Sequence, residues 1–127
     1  EEIKLFKSYH PDYAHGGQMR DFIYVRDCVN VLEWMLENNF DSGIYNLGTG
    51  KARSWNDLAA AIFSTMGLDP KIKYIDMPEE LRSRYQYFTE AGMGKLKAAS
   101  CPVNFRSLED GVADYVQLYL SQENQYY

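Results

Sequence analysis

Cysteine is scarce in this sequence. Among 127 residues only Cys28 and Cys101 are cysteines, and they stand far apart with no CxxC spacing. Neither a disulfide framework nor a zinc ligand set is available, and the simplest compartment for such a chain is a reducing cytoplasm. With 9 Gly and 4 Pro the chain is neither low-complexity nor fibrous. No apolar run approaches the roughly 18 residues that a membrane span needs. The opening Glu1-Glu2-Ile3-Lys4 is too charged for a signal peptide. Positive charge is in deficit: 13 basic against 18 acidic residues leave a net charge of -5. That balance argues against a nucleic-acid partner, which requires a basic patch.

Familiar catalytic patterns are also missing. The stretch Gly43 to Lys51 carries Gly48-Thr49-Gly50-Lys51 between a predicted strand and a predicted helix, yet Tyr45 stands where a P-loop needs its first glycine, and Ala52 where it needs Ser or Thr. A dinucleotide fingerprint would need glycine at position 53, which is Arg53. The turn reads either as a glycine-rich strand exit or as a set of open N–H groups that touch a phosphate or ribose. No tyrosine is followed four positions later by lysine, and there is no nucleophile elbow and no HExxH helix. The chain by itself carries no visible catalytic machinery.

What is present is an ordinary globular composition, 46% hydrophobic and 24% charged, with 11 tyrosines. Length and composition predict one domain over residues 1–127. Ile3-Lys4-Leu5-Phe6 alternates as a strand, and because the chain starts at Glu1 rather than Met, it reads as beginning mid-protein. His10 to Gln18 is rich in turn formers and predicts an exposed loop, with His10 and His15 solvated in it. Phe22-Ile23-Tyr24-Val25 predicts a short strand, and Asp27 an N-cap for a helix that buries Cys28, Val31, Leu32, Met35 and Leu36 and ends at Asn38-Asn39. Gly43 to Gly48 predicts another strand. Ser54 with Asp57 approximates a capping box for a helix that stops at Gly67. Ile72 to Ile75 predicts a strand, Met93 to Ala99 a short helix, and Ser107 with Asp110 the cap of a last helix running close to the chain end. The class is α/β, with more helix than strand.

The chemistry-bearing feature is arginine beside aromatics, at Arg20-Asp21-Phe22 and Arg84-Tyr85. A guanidinium can hold two phosphate oxygens while a neighbouring ring covers an apolar or sugar face. The plainer readings are an ion pair from Arg20 to Asp21 or another carboxylate, and a solvated charge at Arg84. Trp34, Trp55 and Met35 read as core residues.

Arg20-Asp21-Phe22-Ile23-Tyr24-Val25-Arg26-Asp27, followed by Tyr45-Asn46-Leu47-Gly48-Thr49-Gly50, resembles the carboxy-terminal part of extended short-chain dehydrogenase/reductase enzymes acting on nucleotide sugars, the NAD-dependent epimerase/dehydratase family. Arg84-Tyr85-Gln86-Tyr87-Phe88-Thr89 and Leu5-Phe6-Lys7-Ser8 look most like the branch that epimerises an ADP-linked heptose at its 6-position. The resemblance implies a substrate-binding carboxy-terminal portion without its Rossmann domain. In such enzymes the amino-terminal domain holds NADP and supplies the catalytic tyrosine and lysine, which would account for the missing motifs. It implies substrate contacts at Arg20, near the diphosphate, at Tyr85, and at Phe6, Lys7 and Ser8 with Tyr9 beside them. It implies no catalytic or cofactor-binding residue in this chain, and an inactive fragment. It also implies, for the intact enzyme, inversion of the heptose 6-position by NADP-mediated oxidation and re-reduction, an ADP-sugar substrate, a homo-oligomer, and a place in lipopolysaccharide core synthesis in a Gram-negative cytoplasm. Without the other domain, the helix from Asp27 and the YNLGTG segment should leave apolar surface exposed or buried in an oligomer.

Two other readings compete. One is another nucleotide-sugar epimerase or dehydratase. The other is a non-catalytic interaction module, in which Arg20 and Tyr85 lie far apart and a flat apolar patch replaces a cleft.

Overall fold

The computed structural model describes residues 2–122. Its elements, in chain order, are strand β1 (Ile3–Phe6), strand β2 (Met19–Arg20), helix α1 (Val25–Glu37), strand β3 (Arg53–Ser54), helix α2 (Trp55–Thr65), strand β4 (Ile72–Ile75), the short helices α3 (Glu79–Arg82) and α4 (Gly94–Ala98), and helix α5 (Leu108–Tyr115), which continues as a π-helical turn, Val116–Leu120. Mixed helix and sheet agree with the α/β class.

Two small sheets hold the chain. β1 and β4 pair in parallel, with Ile3 opposite Ile72 and Phe6 opposite Ile75. β2 and β3 pair antiparallel, with Arg20 opposite Arg53. On its other side β2 meets the 87–89 segment: Met19 N–H donates to the Tyr87 carbonyl at 2.8 Å, and Thr89 N–H to the Met19 carbonyl at 3.3 Å. Arg20 is thereby set beside the tyrosine-rich stretch 85–87.

α2 starts where its sequence signal places it. The Ser54 hydroxyl accepts from Asp57 N–H and the Asp57 carboxylate accepts from Ser54 N–H, the reciprocal capping box. Ser107 likewise accepts from Asp110 N–H at the start of α5. Of the hydrophobic clusters, one centres on Val31, Met93 and Leu96, with Trp34 and Met35 against it. α2 buries Ala59, Ala61 and Phe63. Cys28 and Cys101 are free thiols.

Several expectations are corrected. Phe22 to Val25 forms no strand, because α1 begins at Val25, with Tyr24 as its N-cap. Asp27 does not cap this helix from outside. It lies within the first turn, 1% exposed, where its carboxylate accepts from Arg106 N–H at 2.7 Å and from the Arg106 guanidinium. Gly43 to Gly48 is extended but pairs with no strand among the described residues. The inward face of α1 is Val31, Trp34 and Met35, whereas Leu32 and Leu36 point outward, so the helix is apolar on two sides. Gln18, expected in an exposed loop, is 1% exposed. The expected end of the last helix near Ser121 holds, but its final stretch is π-helical.

Candidate functional site

β1 ends at Phe6, β2 ends at Arg20, and the irregular segment after α3 carries Tyr85. These three side chains meet. The Arg20 guanidinium carbon lies 5.2 Å from the centre of the Tyr85 ring. The Phe6 ring meets Tyr85 edge-on, with centroids 6.5 Å apart. Tyr85 in turn contacts Tyr87 at 5.4 Å, and Tyr87 reaches His10 and Tyr13. An electron-rich ring face attracts a cation placed over it, so Tyr85 steadies the guanidinium and leaves much of its donor fork unused. One Arg20 nitrogen donates to the Met19 carbonyl at 2.7 Å, and no carboxylate among the described residues pairs with it. The expected ion pair with Asp21 is absent. A guanidinium held on one face with no internal anion is suited to an external one.

Lys7 and Ser8 lie elsewhere in the same neighbourhood. Successive side chains along a strand point to opposite sides, which turns Lys7 away from Phe6. Its ammonium pairs with Asp76 at 3.0 Å. The Tyr9 hydroxyl donates to the same carboxylate oxygen at 2.9 Å, and the Arg82 guanidinium covers the Tyr9 ring at 3.9 Å. The hydrogen bonds from Lys7 and then Tyr9 hold Asp76 below the usual carboxylate range, while the bond to Asp76 raises the Tyr9 phenol. Ser8 shapes the following loop: its N–H donates to His15 Nδ1 at 3.0 Å and its hydroxyl to the His10 carbonyl at 3.0 Å. Phe6, Arg20 and Tyr85 thus form one contact group, with Lys7 and Ser8 flanking it.

The group that organises this region was not legible in the sequence. Asp21, next to Arg20, accepts from Thr49 N–H at 2.8 Å, Thr49 hydroxyl at 2.6 Å, Gly50 N–H at 2.9 Å and Ala91 N–H at 3.0 Å. Burial opposes its ionisation, but the Thr49 hydroxyl and the three backbone donors together outweigh this and hold the carboxyl below its usual range. Gly48 fits the same junction closely: a Cβ there would lie 2.5 Å from both Ala91 Cβ and Asp21 Oδ2. Gly50 takes a φ of +71°, which glycine adopts without strain.

These bonds decide between the two readings of the glycine turn. Thr49 and Gly50 N–H belong to Asp21, Lys51 N–H to the Thr49 hydroxyl at 3.1 Å, and Ala52 N–H to Glu90 at 2.9 Å. No run of free amides remains there to cradle a phosphate. Among the described residues no group of His, Cys, Asp and Glu could hold a metal ion. No helix among them is long and apolar enough to cross a membrane.

An apolar groove of about 400 Å³ lies in another part of the molecule, walled by Phe22, Val25, Leu58, Ile62, Leu108 and Val116 among others. Nearby, Val25, Val29, Leu32 and Leu36 form an exposed stripe on α1, with Leu36 88% exposed. Their spacing of four, three and four residues keeps them on one helical face.

Comparison with known proteins is consistent along the chain. The family described as NAD dependent epimerase/dehydratase matches residues 2–48. An ADP-L-glycero-D-manno-heptose-6-epimerase of Nitratidesulfovibrio vulgaris is 62% identical over 119 residues, 94% of this chain and 37% of that protein. One of Fusobacterium nucleatum is 48% identical over 130 residues, 98% of this chain and 39% of its own length. The chain therefore spans well under half the length of the curated relatives it matches. Among solved structures, the Helicobacter pylori ADP-L-glycero-D-manno-heptose-6-epimerase superposes with a TM-score of 0.72 and 28% identity, covering 92% of this chain and 32% of that one. A UDP-N-acetylglucosamine 4-epimerase from Methanobrevibacter ruminantium gives a TM-score of 0.75 at 23% identity, covering 96% of this chain and 36% of that one, and shows a shared fold. The resemblance carried by the arginine and tyrosine strings is thus shown over nearly the whole chain.

Proposed function

We propose, on the premise that a chain so similar to the ADP-L-glycero-D-manno-heptose-6-epimerases shares their kind, that it is the nucleotide-sugar-binding portion of such an enzyme. Arg20 would take the diphosphate of an ADP-sugar in its planar fork. Tyr85, with Phe6 against its edge, would present an aromatic face to the ligand, and Lys7 and Ser8 would border the site. The single observation that carries this reading is the Arg20 guanidinium resting on Tyr85 with no carboxylate partner among the described residues. An arginine kept solely for stability would be drawn to one of the chain's 18 acidic residues.

The nicotinamide cofactor of the family, NADP in this reading, finds no cradle in the turn at Thr49 to Ala52, because its amides are taken by Asp21, Thr49 and Glu90. It belongs to a separate Rossmann domain that also supplies the catalytic tyrosine and lysine. We place the docking of that domain on the apolar groove, the α1 stripe and the extended segment before the glycine turn. Ile44 in that segment is 88% exposed, and the N–H groups of Ile44 to Gly48 take no partner among the described residues. Such an edge accepts a neighbouring strand. The intact enzyme, in this reading, is a cytoplasmic homo-oligomeric isomerase that inverts the heptose 6-position, and this chain alone is inactive.

Calorimetric titration of ADP-mannose into the chain tests the assignment. Weak binding that is lost in Arg20→Ala, with no heat from NADP, is the expected result. Equal affinity in the variant would overturn the role of Arg20. A folded chain that binds neither ligand would favour the interaction module, for which the apolar groove is the supporting observation.

A further inference from the structure

Among the described residues, the buried side-chain polar atoms Gln18 Oε1 and Trp55 Nε1 have no hydrogen-bond partner. They belong to residues joined through their backbones, since Trp55 N–H donates to the Gln18 carbonyl at 3.2 Å. A buried acceptor without a donor weakens a fold, so an amide at such a position calls for a reason other than stability. The rest of the Gln18 side chain supplies one. Its Nε2 donates to the Phe6 carbonyl at 3.3 Å and to the Lys7 carbonyl at 3.4 Å. The residue is 1% exposed and immediately precedes β2, whose Met19 is bonded to Tyr87 and whose Arg20 lies over Tyr85. Gln18 is the point where the end of β1, the start of β2 and the first turn of α2 converge.

We infer that Gln18 is a positioning residue for the nucleotide-sugar site. Its amide pins the carbonyls of Phe6 and Lys7 and so sets the end of β1 against Arg20 and Tyr85. The inference rests on the proposed reading of that site. Binding constellations work only when held to within about 0.5 Å, and misplacement by about 1 Å is felt as one to two orders of magnitude.

The variant Gln18→Met keeps the length and lack of branching, removes the orphaned oxygen and removes both donors. Phe6 retains a donor, because Gly16 N–H reaches its carbonyl at 3.2 Å. The expected outcome is an unchanged or higher melting temperature, about tenfold weaker ADP binding by calorimetry, and a displaced Arg20 Nε–H resonance, since that group sits in the ring current of Tyr85. A second measurement needs no variant: ADP added to the unaltered chain should shift the Gln18 side-chain amide pair together with Ser8 N–H. A lowered melting temperature with unchanged ADP affinity and an unmoved Arg20 signal would overturn the inference and leave Gln18 a structural residue. If the unaltered chain binds no ADP, the ligand assignment fails, while the Arg20 resonance still decides the matter: moved in Gln18→Met it supports the positioning role, unmoved it refutes it.

Discussion

Replacing Asp21 by alanine should destabilise the chain more than any other substitution beside Arg20. The carboxylate collects four hydrogen bonds from Thr49, Gly50 and Ala91, three of them from backbone N–H groups. Bonds to a charged acceptor are worth about 1.5–3 kcal/mol each when buried, but water reaches this half-buried junction, so about 1 kcal/mol per bond and about 4 kcal/mol in all is the reasoned magnitude. Urea unfolding followed by tryptophan fluorescence reads it as a lowered midpoint with an unchanged slope. Asp21→Asn separates charge from shape: one acceptor oxygen remains, but the new amide donors face backbone donors, and about half the loss is expected. The pH dependence provides a check on sign. Because the folded carboxyl is held below its unfolded value, the folded state releases its proton first, and this stabilisation is fully present above the unfolded value near pH 4. It is lost as pH falls through the lower folded value, so the acid limb of stability should be shallower in Asp21→Asn. A loss below about 1 kcal/mol in Asp21→Ala, or an unchanged acid limb in Asp21→Asn, would refute the reasoning.

Three further outcomes follow from the packing. Asp27→Ala takes the acceptor from the Arg106 N–H and from a guanidinium that water still reaches, and should cost about 1.5–3 kcal/mol in the same unfolding assay, whereas a surface carboxylate such as Glu80 should cost almost nothing. Gly48→Ala forces a methyl group against Ala91 and the Asp21 carboxylate, and should cost about 1–3 kcal/mol, with Gly94→Ala, which has open space around it and no left-handed backbone, as the control for clash. Tyr24 is pushed up to about 12 by burial first and then by its bond to Asp114, so absorbance titration should show a late tyrosine that disappears in Tyr24→Phe, apart from the delay that Asp76 imposes on Tyr9. Between about pH 10 and that value the folded state holds the proton that the unfolded state has lost, so stability should fall across this window, and less so in Tyr24→Phe.

Local signals and long-range ones fared differently, for physical reasons. The Ser54–Asp57 capping box is legible because both partners lie within one turn, and it appears where expected. Ile3–Phe6 and Ile72–Ile75 are legible as strands from their own residues, but nothing local says that they pair with each other in parallel. Phe22 to Val25 and Gly43 to Gly48 have strand propensity and lack a ladder partner among the described residues, since propensity sets the backbone region and pairing requires a neighbour. Asp27 looked like an N-cap because Asp is a good one, yet its carboxylate is claimed by Arg106, 79 residues away. Asp21 escaped notice for the same reason: its donors lie 28, 29 and 70 residues away. Arg20 and Tyr85 stood out through residue type and family resemblance. Their contact, and the burial of Gln18 beside them, emerges only when β2 is threaded between β3 and the 87–89 segment.

A nucleotide-sugar site at Arg20 and Tyr85 can be read out by mapping amide and side-chain resonances of the labelled chain during titration with ADP-mannose. Saturable shifts should concentrate at Phe6, Lys7, Ser8, Arg20 and Tyr85, with the groove between Val25 and Val116 unaffected. Shifts confined to that groove, or to the glycine turn at Thr49 and Gly50, would contradict it.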